Sequence, residues 1–248
     1  MGNQPSRPRH GARIQVIGAG LSRTGTASLS AALSCLLSGP VYHCGTQICR
    51  GSPSEILTWI DILNIFPART PRDLSKMHNL LQDRLDGFVA VTDAPAAGLV
   101  PELLQLFPDA KRSMTGLVSA ATLWFLRAVL LPLPGLRYIP AFTERLQRQW
   151  GVLYDEKGVH TRLTYERHIA WLKEVVPEDR LVFFDVRDGW DPLCASLGLE
   201  TPDVAFPNIN DGAAIEAFAQ ETIRKGLMWW AVYLGGIAAG GVYWEYFS

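Results

Sequence analysis

A chain of 248 residues, 48% apolar and 10% aromatic, is long enough to bury the core of one α/β domain, alone or with an appendage, and one domain is expected. Its 23 basic and 24 acidic residues leave a formal net charge of -1, so no chain-wide field draws it to nucleic acid, and any anion has to be held by a local device. Cys35, Cys44, Cys49 and Cys194 lack CxxC spacing and lie in apolar or strand-like stretches, which argues against a disulfide framework or a zinc site and for buried thiols in a reducing compartment.

The first thirteen residues, MGNQPSRPRHGAR, hold no apolar signal-peptide segment. Gly2 behind Met1, with Ser6 at the hydroxyl position, fits the N-myristoylation pattern M-G-x-x-x-[ST], and Arg7, Arg9 and Arg13 follow to meet anionic headgroups. The alternative for residues 1–12 is a disordered polar tail. Residues 13–18 (RIQVIG), 87–93 (GFVAVTD) and 180–186 (RLVFFDV) are short apolar runs closed by turn residues and predict buried parallel strands. Apolar residues three and four apart predict helices over 26–37, 54–63, 72–85, 96–107, 142–154 and 160–176. Strands alternating with helices predict an α/β domain over 13–212 with a doubly wound parallel sheet, whose ligands lie at the carboxyl ends of the strands. Residues 114–140 are apolar but broken by Arg127, Pro132 and Pro134, and predict a core helix or an apolar lid rather than a membrane span.

After a linker helix over 213–225, residues 226–244 (GLMWWAVYLGGIAAGGVYW) run without a charge; as a helix they reach ~28 Å, close to the ~30 Å of bilayer hydrocarbon. Arg224 and Lys225 precede the run, and Trp229, Trp230, Tyr243, Trp244 and Tyr246 mark two interfaces, so 226–248 predicts a single-pass tail anchor with the body in the cytosol. Gly236 and Gly240 form a G-x-x-x-G that lets two such helices approach, which implies a homodimer. The alternative is a buried terminal helix of a cytoplasmic protein, a reading weakened by five glycines in the run at ~0.5–1 kcal/mol each.

The glycine-rich turn after the first strand, GAGLSRTGTAS, places backbone amides at a helix N-terminus, a phosphate-binding device. A dinucleotide fingerprint G-x-G-x-x-G fits at Gly18 and Gly20 but meets Arg23 at its third glycine. A nucleoside-triphosphatase loop fits at Gly20 and Gly25 but has Thr26 for the lysine and Ala27 for the metal-binding hydroxyl. What remains is a set of amides, the Arg23 guanidinium and the hydroxyls of Ser22, Thr24, Thr26 and Ser28, suited to a nucleotide phosphate bound without metal.

SRTGTAS (22–28) resembles the 5′-phosphosulfate loop P-K-S-G-T-T-W of the cytosolic sulfotransferases, and more closely a sulfotransferase-like branch with GLPRTGTxSL, from which Ser22 departs at the proline. YHC (42–44), TDAPAAGLVPELLQLFPDAK (92–111) and VVPEDRLVFFDVRDGWDPLCASLGLETPDVAFPNIND (175–211) resemble further blocks of that branch in the same order. The resemblance implies a three-layer, P-loop NTPase-like fold with a central parallel sheet. It also implies 3′-phosphoadenosine 5′-phosphosulfate (PAPS) as co-substrate, a small-molecule hydroxyl or amine as acceptor, and no metal. Ser22, Arg23, Thr24, Gly25, Thr26, Ala27 and Ser28 would hold the 5′-phosphosulfate, with Arg23 stabilising the transferring group. In the cytosolic members a T-H-x-P turn carries the catalytic base; VTDAP (91–95) puts Asp93 at that histidine, making it the candidate general base, with His43 the second candidate. The alternative for Asp93 is a cap on the following helix, with Pro95 at its first position.

One element departs from the pattern. The family continues from this block into a strand ending in V-R-D-P, with a serine eight residues on, and these hold the 3′-phosphate. Here Lys111 is followed directly by RSMTGLVSAATLW, so Ser113 carries over but the arginine does not. A missing strand would open an unpaired sheet edge, and a missing guanidinium–phosphate contact would weaken nucleotide binding by ~1.5–3 kcal/mol. Three readings follow: a membrane-anchored PAPS-dependent sulfotransferase, a catalytically impaired relative acting as a tethered binding or scaffold protein, and an NAD-dependent epimerase or dehydrogenase. The third lacks both a glycine at position 23 and a Tyr-x-x-x-Lys pair.

Overall fold

A four-stranded parallel sheet carries the architecture: β1 (Val16–Gly18), β2 (Val41–His43), β3 (Ala90–Thr92) and the two-residue β4 (Lys111–Arg112), in the order β2-β3-β1-β4. The computed structural model describes residues 4–22, 24–112, 128–155, 162–209 and 211–247. Side chains alternate across the sheet, as a period of two requires. Ile17, Tyr42 and Val91 enter one cluster with Trp59, Leu63, Leu81 and Trp150. Val16, Val41 and Ala90 enter a second with Leu29, Leu33, Phe184 and Trp190. Both faces are therefore covered, the arrangement that short parallel strands with an apolar residue on each face demand.

The helices are α1 (Thr26–Leu36), α2 (Cys44–Arg50), α3 (Pro53–Ile65), α4 (Pro71–Leu85), α5 (Val100–Leu106), α6 (Ile139–Tyr154), α7 (Arg162–Val175), α8 (Trp190–Leu197) and α9 (Asp211–Phe247). α4 starts on a capping box, Thr70 accepting from the Asp73 amide and Asp73 from the Thr70 amide, with Pro71 in its first turn. β2 is fastened to α3 and α4 by a chain of polar side chains. Trp59 donates to the Tyr42 hydroxyl (2.9 Å), which donates to Glu55 (2.6 Å), which also accepts from Arg84 (2.7 Å). Burial raises the Tyr42 phenol, so it stays protonated as a donor.

Several expectations are corrected. Residues 180–186 are not a buried strand: a 3₁₀ turn at Glu178–Arg180 leads into extended chain and a second turn at Val186–Asp188, with Phe183 48% exposed. The segment contributes a single bridge residue, Leu181, and a side-chain contact, Arg180 to the Ala110 carbonyl (3.0 Å). The 96–107 helix is split into a 3₁₀ turn at Ala96–Gly98 and α5, because Leu99 leaves helical geometry and Pro101 has no amide to donate. β2, α2 and α8 are elements that hydrophobic periodicity did not single out. Of the thiols, Cys44 and Cys194 are buried and Cys49 half-buried, but Cys35 is exposed; all four are free.

Residues 4–12 lie against the body: Arg9 donates from its amide to Gly87 (2.8 Å) and from its side chain to Ser38 (2.6 Å), and Gln47 donates to the Ser6 carbonyl (2.8 Å). Gly2 lies outside the described residues, as does most of the 114–140 stretch, whose described end buries Val129, Leu130 and Leu133. The C-terminal linker and anchor segments form one helix, α9, of 37 residues. Its middle docks where Gly226 meets the Val129 carbonyl and Trp230 donates to Ala128 (2.8 Å). Among the described residues no helix is long and apolar enough to cross a membrane. The charge-free run draws much of its length from glycine, tryptophan and tyrosine, which add little hydropathy.

One buried histidine ties α6 and α7 to the turn after β1. A carbonyl can only accept, so His168 Nε2 donates to Ala19 (2.8 Å) and Nδ1 accepts from the Tyr154 hydroxyl (2.6 Å). Burial pushes the imidazole down to about 4, with the Ala19 bond opposing in part. Between pH 6.5 and 4 the unfolded chain therefore takes up a proton that the folded chain refuses, and stability falls with falling pH across that window. Urea unfolding at pH 7 and pH 4.5 is expected to show an acid loss about 2 kcal/mol larger in the parent than in His168→Gln; equal losses would refute the assignment.

Candidate active site

β1 delivers the chain at Gly18 into the turn that precedes α1. A Cβ at Gly18 would lie 2.6 Å from Thr92 Cγ2, so the glycine is needed where β1 and β3 close up. Gly25 is the N-cap of α1 with φ +85°, and a Cβ there would lie 2.8 Å from Val186 Cγ2. α1 has no side-chain cap and no acidic residue in its first turn. Its leading amides are those of Thr26, Ala27 and Ser28, free of any cap of the helix's own and suited to an anion.

Asp93 closes β3 in the left-handed region, φ +75°, an uncommon conformation for a residue other than glycine. That turn sends its carboxylate, 4% exposed, back toward α1 and α2. Ser22 donates to Oδ1 (2.7 Å) and the Gly45 amide, in the first turn of α2, to Oδ2 (3.2 Å). The 3₁₀ turn that follows Asp93 is capped by Pro95 without a side-chain bond, so Asp93 does not serve as the cap of the next helix.

His43 ends β2 and is the N-cap of α2. Thr46 approaches Nδ1 with both its amide (3.2 Å) and its hydroxyl (3.0 Å). An amide can only donate, so Nδ1 accepts and Nε2 carries the proton. Nε2 lies 3.1 Å from Thr26 Oγ1 and 3.7 Å from Asp93 Oδ2. With His43 donating to it, the Thr26 hydroxyl retains its own proton for another partner.

Ser22, Thr26, His43 and Asp93 are thus brought together, with Gly45 and Thr46, which the sequence did not mark. The signal for these two was the histidine at a strand end followed by a glycine two residues on. One expected phosphate ligand spends its proton elsewhere: Thr24 donates to the Leu21 carbonyl (2.9 Å), while Ser28 Oγ accepts from the Ile209 amide (2.9 Å) and keeps its own proton. Ala27 is buried on α1. Arg23 and Ser113 lie outside the described residues. Val186 brings the 185–188 turn against Gly25, where Arg187 is paired with Asp185 and holds that carboxyl down to about 2. Neither nearby thiol is poised as a nucleophile: burial, reinforced by Asp93, raises Cys44, and pushes Cys49 up to about 11. Among the described residues no cluster of His, Cys, Asp and Glu could hold a metal ion.

A family model described as a sulfotransferase domain matches residues 15–215, a span that holds β1, the glycine turn, His43 and Asp93 and stops at the start of α9. The chain belongs to that family. It is also similar to the Ava biosynthesis cluster protein M of Aspergillus versicolor, with 24% identity over 261 residues, covering 93% of this chain and 96% of that protein.

Gly25 and Gly198 both have positive φ, but a Cβ at Gly198 meets nothing within 4 Å. Gly198→Ala is expected to cost about 1 kcal/mol from backbone strain alone, and Gly25→Ala about 1–2 kcal/mol more because Val186 is in the way. Chemical denaturation of the two variants checks this; equal costs would mean that Val186 does not press on the turn.

Proposed function

We propose that the chain transfers a sulfuryl group from PAPS to a hydroxyl or amine acceptor. The observation that carries this reading is the convergence of Asp93, His43 and Thr26 at an uncapped helix N-terminus that follows a glycine turn, within a span matched by the sulfotransferase domain. PAPS, when bound, supplies the sulfuryl group on a leaving group that departs as 3′,5′-diphosphoadenosine. The amides at the start of α1 and the free proton of Thr26 suit its 5′-phosphate, and Arg23 is assigned to the same group on the loop resemblance. Asp93 takes the proton as the acceptor oxygen or nitrogen bonds to sulfur and the bond from sulfur to the 5′-phosphate oxygen breaks. Ser22 and Gly45 fix both oxygens of that carboxylate, and His43 Nε2–H holds Thr26 in place beside it.

The sequence after Lys111 favours a second reading, a relative impaired at the 3′-phosphate, because RSMTGLVSAATLW follows directly and holds no counterpart of the family's V-R-D-P arginine. Calorimetry with 3′,5′-diphosphoadenosine separates the two. Micromolar binding weakened at least about tenfold in Arg23→Ala is expected for the enzyme; no binding at millimolar nucleotide would overturn it in favour of the impaired relative. For the enzyme, Asp93→Asn is expected to lower kcat by about 10²–10⁴-fold with the nucleotide Kd unchanged. A kcat within a factor of a few of the parent would remove Asp93 as the base.

We further propose that α9 associates with membranes. Leu227, Met228, Val232, Leu234 and Ile237 are more than half exposed on it, and Arg224 and Lys225 stand at the border of the charge-free run. Full-length protein is expected to float with phosphatidylcholine–phosphatidylserine vesicles and a chain ending at Lys225 to remain at the bottom of the gradient; equal distribution would refute the association.

A further inference from the structure

A cavity of about 420 Å³ adjoins the Asp93–His43 pair, within the size range of small-molecule sites. It lies between one face of α1, β2, the first turns of α2, the 207–209 segment and the N-terminal strap at Gln4 and Ser6. His43 belongs both to its wall and to the polar cluster, so a group lodged there is presented beside Asp93. No Asp, Glu, Lys or Arg is among the described residues that line it.

Its chemistry follows from where the hydroxyl protons go. Ser30 donates to the Thr26 carbonyl (2.7 Å) and Ser34 to the Gly39 carbonyl (2.8 Å), while the Thr46 hydroxyl faces the accepting Nδ1 of His43. Each of these three hydroxyls spends its proton on the protein; Ser30 also accepts from Thr92 (2.6 Å), so the free lone pairs are chiefly those of Ser34 and Thr46. Gln47 gives one amide N–H to the Ser6 carbonyl and keeps its oxygen and its second N–H. The described wall is therefore uncharged, with lone pairs at Ser34, Thr46 and Gln47, amide donors at Gln4 and Gln47, and Ala31, Val41 and Pro207 as apolar surface between them. Among the described lining residues a phosphate or sulfate would meet lone pairs with no cation to offset them, and a cationic amine would meet no carboxylate.

We infer that this cavity is the acceptor subsite and that it takes an uncharged compound carrying several hydroxyl groups and some apolar surface, whose donors match the exposed lone pairs. The identity of the reaction rests on the sulfuryl-transfer reading; the ligand class rests on the wall alone. Phenyl β-D-glucoside, neutral with four hydroxyls, and its anionic counterpart phenyl β-D-glucuronide are suitable probes for calorimetry on the full chain.

The glucoside is expected to bind with a Kd in the millimolar range or below, and the glucuronide at least about tenfold more weakly. Ala31→Phe, which fills the cavity away from the loop, is expected to weaken glucoside binding at least about tenfold while leaving 3′,5′-diphosphoadenosine binding unchanged. Ala31→Leu, a smaller filling, replaces it if circular dichroism shows the phenylalanine variant unfolded. Glucoside binding absent at about 10 mM, glucuronide binding as tight, or indifference to the filled cavity would each overturn the assignment. Loss of nucleotide binding in the parent would instead strike the sulfuryl-transfer reading and leave the cavity result standing.

Discussion

The carboxylate of Asp93 joins three segments that are far apart in the chain. It accepts from Ser22 in the turn after β1 and from Gly45 in the first turn of α2, and it does so from the end of β3. The contact depends on a left-handed residue at 93, without which the side chain would follow β3 forward instead of turning back. Around it the remaining pieces take position: His43 as the cap of α2, its Nε2–H on Thr26, and Thr26 at the head of α1. A buried carboxylate with both oxygens accepting from fixed donors locks the ends of β2 and β3 to the glycine turn.

The scaffold behind this contact is made of ordinary parts. Two apolar residues in each of β1, β2 and β3 suffice because helices cover both faces of the sheet, and the Tyr42–Trp59–Glu55–Arg84 chain keeps β2 from sliding relative to α3 and α4. His168 performs the same service on the other side of the turn by gripping Ala19. The edge beyond β1 is different: the described part of β4 ends at Arg112, and the chain that the sequence offered as another buried strand, 180–186, contributes a single bridge residue, Leu181, and the Arg180 bond to the Ala110 carbonyl.

Helices of ten residues or more were legible because their apolar spacing repeats several times; α1, α3, α4, α6 and α7 all fall close to the expected ranges. β2 was not, since three residues between Pro40 and Cys44 cannot establish a period. The run RLVFFDV misled because an apolar run reports burial, not pairing, and only part of it is buried. At the site, Ser22, Thr26, His43 and Asp93 were each nameable from the sequence, but their connections were not. These depend on a positive φ at a residue that rarely adopts one, and on hydroxyls that choose between a ligand and the backbone. Thr24 and Ser28 chose protein partners, which no motif records.

The account turns on the amides at the head of α1, beside the Asp93 cluster, being the place where a nucleotide phosphate sits. Amide chemical-shift mapping of the isotopically labelled protein titrated with 3′,5′-diphosphoadenosine addresses this most directly. The largest shifts are predicted at Thr26, Ala27 and Ser28, with a secondary change at Gly45 through Asp93. Shifts that leave these amides unmoved while another surface responds would contradict it.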